Sequence, residues 1–173
     1  MSRTAPASTL VMVPYREVRH DRPEDCIHHE SIAVRGREYG WSIPAHRHED
    51  LHQLQWLRRG AVVLRIDGEC GTVQAPALVH VAPGCVHGFD YTPESQGEQL
   101  TVPAALLRQS LADAPHVLDQ LRHSFVLSAE ADAPLASAVA SQLAAVQDEF
   151  DAERPGRTQA LVAWTTLLFV QAA

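Results

Sequence analysis

The chain has 173 residues, 46% of them apolar and 20% charged, and a formal net charge of -7. That size and balance suit one globular domain with a substantial core, or a barrel with a small helical appendage, and exclude a disordered or fibrous chain. The negative charge, with no run of Lys or Arg, opposes attraction to phosphate, so these residues by themselves are not expected to grip DNA.

No segment approaches the roughly 18 consecutive apolar residues of a membrane span. The start M-S-R-T-A-P-A-S-T-L-V-M-V-P has no long apolar core followed by a cleavage site. A cytoplasmic location without membrane contact is the expectation. The three cysteines, Cys26, Cys70 and Cys85, are odd in number and lack C-x-x-C spacing, which argues for reduced thiols.

Residues 1–25 carry Pro6, Pro14 and Pro23 among scattered charges, the pattern of an extended N-terminal arm that packs over or fringes the rest. Residues 26–34 read as a strand, turned by Arg35-Gly36-Arg37. His28 and His29 would then point to opposite faces, so the C-x-H-H arrangement does not easily aim both imidazoles at one ion. Trp41 begins the next strand, which carries Ile43, Pro44, His46 and His48, and Pro44 marks an edge or a bulge.

Short strands follow at 51–58, 61–66, 72–75, 78–82, 86–91 and 98–102, with a turn at 67–71 and Pro or Gly signals between. Turn signals about every eight to twelve residues are those of a sandwich or barrel. After Pro103 the character changes. The run A-A-L-L-R-Q-S-L predicts a short helix that Pro115 ends, and no further strand is expected. Leu135, Val139, Leu143, Val146 and Phe150 recur at helical spacing behind Asp132 as N-cap and Pro134 in the first turn. Glu153-Arg154-Pro155-Gly156 breaks this helix, and a second from about Arg157 carries Leu161, Trp164, Leu168 and Phe169, giving an antiparallel hairpin.

Chemistry concentrates in residues 40–60, G-W-S-I-P-A-H-R-H-E-D-L-H-Q-L-Q-W-L-R-R-G, and in Pro83-Gly84-Cys85-Val86-His87. His46 and His48 share one strand face, and the later turn delivers His87. Two readings stand side by side. His46, His48 and His87 make a three-histidine site for zinc, nickel or iron with an open position, Gln53 or His52 being a possible fourth ligand. Without metal, the same imidazoles and the Gln53 amide are hydrogen-bonding groups for a small carboxylate or phenol in an apolar barrel. Trp41, Trp56 and Tyr91 are candidates to stack on an aromatic ligand, the plainer reading being core or rim. His80 sits in a strand as a candidate pocket residue, while His116 and His123 read as solvated. No P-loop, dinucleotide fingerprint or nucleophile elbow is present.

The order of these residues resembles the cupin superfamily. Gly40, His46, His48 and Gly60 keep its first motif, with Gln53 where a glutamate is expected; Pro83, Gly84 and His87 match its second, with Tyr91 where an asparagine is expected. Over about residues 27–173 the closer resemblance is to the N-terminal effector-binding domain of AraC-family transcription regulators, some of which sense hydroxylated aromatic acids such as 4-hydroxybenzoate and 4-hydroxyphenylacetate.

The resemblance implies a mainly β, cupin-like (double-stranded β-helix) barrel over 26–102 followed by a helical segment, 103–173, whose hairpin either forms a homodimer or simply packs on the barrel. It also implies a small-molecule effector, an aromatic carboxylic acid, contacted by His46, His48, Gln53, His87, Trp41 and Tyr91. An N-terminal arm against the pocket makes Tyr15 and Arg16 lid candidates. DNA contact would be made by a C-terminal domain absent from this chain. The family pattern turns Gln53, Gln55 and Leu57 inward, whereas apolar alternation favours Leu54 and Trp56; only Gln53 is taken inward here. The rival implied function is a metal-dependent cupin enzyme, a dioxygenase or isomerase.

Overall fold

The computed structural model describes residues 10–11, 27–130, 132–152 and 154–173. Of the N-terminal arm it describes only the backbone of a two-residue strand, β1 (Leu10–Val11); Tyr15, Arg16 and Cys26 lie outside the described residues. The strands β2 (His28–Ser31), β3 (Ser42–Arg47), β4 (Leu51–Arg59), β5 (Ala61–Ile66), β6 (Glu69–Gln74), β7 (Ala77–Val81), β8 (His87–Tyr91), β9 (Gln96–Pro103) and β10 (Phe125–Ser128) complete two five-stranded sheets. Their orders are β1-β3-β8-β5-β6 and β10-β7-β4-β9-β2, and all pairs but β1 with β3 are antiparallel. Helices α1 (Ile32–Glu38), α2 (Ala104–Ser110), α3 (Pro115–Gln120), α4 (Ala133–Asp151) and α5 (Arg157–Ala172) account for the rest.

The centre of the second sheet is β4, which pairs with β7 on one side and β9 on the other. Its residues 52–57 are all buried, so apolar alternation is absent from it. Two cores explain this. Leu54 and Trp56 join Leu78, Leu100 and Val102 in a core completed by Val139, Leu143, Val146, Leu161, Leu168 and Phe169 of the helical hairpin. Leu57 belongs to the other core, between the sheets, with Val62, Leu64, Val79, Val81, Phe89 and Tyr91. Gln53 and Gln55 share the face of Leu57 by strand parity, so all three turn inward, as the family pattern implies.

Four local expectations are corrected. The strand read over 26–34 stops at Ser31, and Arg35-Gly36-Arg37 is helical within α1. Gly36 serves a close approach there: a Cβ would lie 2.4 Å from Trp41 Cε3, and Trp41 itself sits before β3 in a turn with φ 65°. The 67–71 turn shortens to Asp67-Gly68, both with positive φ (48° and 91°), so β6 already begins at Glu69. Pro115 opens α3 instead of merely ending a helix. Strands also continue past Pro103, for β10 pairs along β7 from Phe125 opposite His80 to Ser128 opposite Ala77. Its four residues F-V-L-S are too short a run to declare a strand without their partner.

The hairpin forms as its caps predict. Asp132 Oδ1 accepts from Leu135 N at 2.9 Å, Gly156 (φ 83°) makes the break, and Arg157 Nε donates to Glu149 O at 2.8 Å across it. Leu161, Leu168 and Phe169 are buried, but Trp164 is 37% exposed, a correction to its place on the inward stripe.

Candidate functional site

The site is built where β3 and β8 meet. Pro44 has no N–H to give to a ladder, and the β3–β8 register shifts between Ile43 and His46, the bulge expected of it. Beyond the shift His46 lies directly opposite His87, and their rings are 4.3 Å apart. His48, just past the end of β3, brings its ring to 4.9 Å from His46 and 5.5 Å from His87. Gly84, in the left-handed region at φ 81°, donates its N–H to His48 O at 2.8 Å, tying the turn ahead of His87 to the end of the His-x-His strand. All three imidazoles are buried, and each can offer a nitrogen such that the set lies within 4.8 Å of one another.

Backbone carbonyls decide which nitrogens those are. His46 Nδ1 is 2.8 Å from Pro44 O, and His87 Nδ1 is 2.9 Å from Cys85 O. A carbonyl only accepts, so Nδ1 carries the hydrogen in both rings and Nε2 keeps its lone pair. Burial holds the His87 pKa down at about 4, with the Cys85 carbonyl opposing and the nearby His46 and His48 reinforcing. His46 is lowered as well, by burial first, against the Pro44 carbonyl and with Arg35 adding to it. Among the buried side-chain atoms of the described residues that lack a partner, His87 Nε2 and Gln53 Oε1 belong to this cluster and to the inward face of β4, while others, such as Trp56 Nε1 and Thr165 Oγ1, belong to the helical core.

Four other polar groups on the inner faces bond to one another in a row. Tyr91 O–H donates to Gln55 Oε1 (2.7 Å), Gln55 Nε2 to Gln99 Oε1 (2.7 Å), and Gln99 Nε2 to Glu30 Oε1 (2.8 Å). Arg35 closes the chain on the other carboxylate oxygen of Glu30 at 3.4 Å. Because an ionised carboxylate only accepts, Glu30 sets the orientation of both amides and makes Tyr91 a donor. Burial pushes the Tyr91 phenol well above its ordinary value. Gln99 and Glu30 escape sequence reasoning, since their inward direction follows from the β2–β9–β4 register and from no local pattern.

Four of the six expected ligand contacts, His46, His48, Gln53 and His87, face the inter-sheet space or converge on it. Tyr91 lines it with its hydroxyl engaged, while Trp41 packs against both α1 and the rim of the inter-sheet core. His52 does not join the cluster. It lies on the opposite face of β4, where its Nδ1 is 3.0 Å from His80 Nε2, and it meets Phe169 of α5 edge-on. His80 likewise faces the helices and not the interior, with its Nδ1 donating to His123 O at 3.0 Å. The reason for both corrections is parity: each is one residue out of step with the inward set of its strand. Burial lowers the His52 pKa to about 3 and that of His80 to about 4.

A cleft of about 330 Å³ opens between the β5–β6 hairpin and β10, lined by Leu64, Ile66, Cys70, Ser124, Phe125 and Val126. Leu64 lies in the inter-sheet core and Ile66 packs against it, and Ile66 is the register partner of His87. Cys70 and Cys85 are free thiols. Among the described residues no helix is long and apolar enough to cross a membrane.

The model of the AraC-like ligand binding domain matches residues 28–162. Among solved structures, the chain is similar to the AraC-like transcriptional activator CuxR at 15% identity and a TM-score of 0.50, over 72% of this chain and 43% of that one. It is also similar to an apo ToxT from Vibrio cholerae strain SCE256 at 6% identity and a TM-score of 0.49, over 83% of this chain and 52% of that one. The likeness to CuxR is one of fold, and the chain spans less than half of that activator's length. No curated protein matches the chain.

Proposed function

This chain belongs to the AraC-like ligand binding domain family, and we propose from that premise that it holds a small-molecule effector between its two sheets on behalf of an AraC-type transcription regulator. One observation carries the location: His46, His48 and His87 converge in a buried interior where His87 Nε2 and Gln53 Oε1 have no partner. Buried polar atoms in native proteins are ordinarily satisfied, so each exception calls for a missing partner, of which a ligand is one. The cleft above Leu64 and Ile66 is the route of entry in this reading.

The effector is a small aromatic acid in this reading, its ring suited to the apolar side chains of the inter-sheet core, Phe89, Tyr91, Val62 and Val81 among them, which would have to part to admit it. His46, His48, Gln53 and His87 make its polar contacts, with Tyr91 and Trp41 at the margin. DNA is bound by a further domain, a homodimer forms through the hairpin, and the regulator works in the cytoplasm. A thermal-shift panel of aromatic carboxylic acids in chelator-treated buffer tests this. A binder at a hundred times its Kd adds about 2.7 kcal/mol to stability, and His46→Ala should lose that gain. A panel without any shift, in the presence of an intact fold, removes the aromatic-acid reading.

A second reading is supported by the same imidazoles. Nδ1 anchored on a carbonyl, as in His46 and His87, is the arrangement that fixes ring and tautomer for a metal-ligating Nε2. Nitrogens bound to one tetrahedral divalent ion stand about 3.4 Å apart, so three within 4.8 Å need only a small inward adjustment. A bound zinc, nickel or iron would supply Lewis acidity at an open position, the requirement of a cupin-type enzyme. Stoichiometric metal in the purified protein together with substrate turnover would favour this over the sensor.

A further inference from the structure

We propose that the protein has a second small-molecule site, on the helix side of β4, and that this site takes a small zwitterion with an apolar side chain, an α-amino acid such as leucine. A cleft of about 480 Å³ carries it, where the start of β4 meets α2 and α3. That volume is within the range of small-molecule sites. The cleft is distinct from the inter-sheet site, because His52 in its lining lies on the face of β4 turned away from that space.

Ala104, Pro115, Leu118 and Leu121 give the cleft an apolar floor. His52 is its buried polar residue, 7% exposed, with Nδ1 engaged by His80 and Nε2 without a hydrogen-bond partner among the described residues. The rim carries Glu49, Asp50, Arg108, Asp119 and Arg122. Ion pairs occupy three of these. Glu49 meets Arg47 at 2.7 Å, and Asp119 meets Arg122 at 3.8 Å. Asp50 and Arg108 are left, with no ion pair among the described residues. One backbone bond brings them to the same corner: Ala104 N donates to Asp50 O at 2.8 Å, and Arg108 follows Ala104 by one helical turn on the same face of α2. Burial first, then His80, then Arg108 lower the His52 pKa, so the guanidinium stands near that ring.

An uncommitted carboxylate and an uncommitted guanidinium at one cleft select a ligand by the sign of its charges. A plain carboxylic acid would meet Arg108 but bring its negative charge to the corner that holds Asp50. A plain amine would meet Asp50 and be repelled by Arg108. A zwitterion answers both, its carboxylate on the Arg108 guanidinium and its ammonium on the Asp50 carboxylate, as charge-assisted hydrogen bonds. Its apolar side chain then covers the floor of Leu118 and Leu121.

The experiment is an amide NMR titration of the isotope-labelled 173-residue chain with L-leucine, and separately with isocaproate and isoamylamine, which are leucine without its amine and without its carboxylate. Leucine is expected to move the signals of His52, Ala104 and Leu118 and to bind about tenfold or more tightly than either analogue. Arg108→Gln and Asp50→Asn, both at exposed positions, should each weaken leucine binding about tenfold, the loss of one charged contact, with an unchanged circular dichroism spectrum. The proposal is overturned if leucine leaves those signals unmoved, if isocaproate or isoamylamine binds as well as leucine, or if either variant binds leucine as wild type does. None of these results bears on the inter-sheet effector site, in which Asp50 and Arg108 take no part.

Discussion

Gln53 and Gln55 stand two residues apart on the same face of β4, yet their energetics are opposite. Gln53 is 5% exposed and its Oε1 has no partner, so removing it relieves an unmet desolvation penalty. Gln53→Met, close in volume, is expected to stabilise the ligand-free protein by about 1–2 kcal/mol, a rise in Tm of a few degrees at this chain length, while weakening effector binding. Chemical denaturation and a ligand titration of the same variant read the two effects separately. Gln55 is bonded on both sides, to Tyr91 and to Gln99. Gln55→Leu should orphan both and cost roughly 2–3 kcal/mol, measured as a lower denaturation midpoint. A Gln55→Leu variant as stable as wild type would show that the chain contributes nothing.

Among the elements, β4 and β7 meet the helical hairpin through a buried histidine pair, and this makes the interface sensitive to acid. The folded pKa values, about 3 for His52 and about 4 for His80, lie below the ordinary 6.5 because burial penalises the cation. Above pH 6.5 neither the folded nor the unfolded chain protonates these rings, so their contribution is complete. As pH falls below 6.5 the unfolded chain takes up protons that the folded chain refuses, and stability declines until the folded values are reached. Urea denaturation from pH 7.5 to 5 should show this decline. His52→Leu combined with His80→Phe should make its slope shallower by up to about two protons, with the residual slope assigned to His46, His87 and His29, which are lowered in the same direction. The β4–β9 pair has its own tight point at the register shift. A Cβ on Gly97 would fall 1.9 Å from Trp56 O, a backbone atom that cannot turn aside. Gly97→Ala is accordingly expected to cost about 2 kcal/mol or more, and an unchanged Tm would sink that argument.

At the scale of the whole molecule, the second sheet is a shared wall. Gln53 touches the inter-sheet space, while His52, Leu54 and Trp56 on the same strand press on the helical core that includes Phe169. An occupant of the interior is thus one strand thickness from the hairpin, the shortest path by which occupancy could bias its arrangement. The outer side of α5 leaves Trp164, Leu167 and Val170 between 37% and 40% exposed, continuous with a groove that takes in Leu106 and Val162. An apolar stripe of this kind fits the proposed homodimer. Sedimentation velocity should give a dimer at micromolar concentration and a monomer for Leu167→Asp with an unchanged circular dichroism spectrum; a wild-type monomer across that range would rule the interface out.

The sequence by itself determined what local chemistry determines. Turn residues and strand-length apolar runs located nearly every strand from β3 to β9, the Asp132 cap and Gly156 bounded the hairpin, and His46, His48 and His87 were legible as a cluster because a bulged strand and a Pro-Gly turn can only deliver them together. The tertiary structure decided which side each residue serves. In β4 and β7 both faces are covered, so hydrophobicity carries no direction there, and the hydrogen-bonding register alone sends Gln53 and Gln55 inward and His52 and His80 outward. The same holds for α1, where Gly36 admits the Trp41 ring, and for β10, a strand only because β7 offers it an edge. Partners distant in sequence set these choices, and no window of local residues contains them.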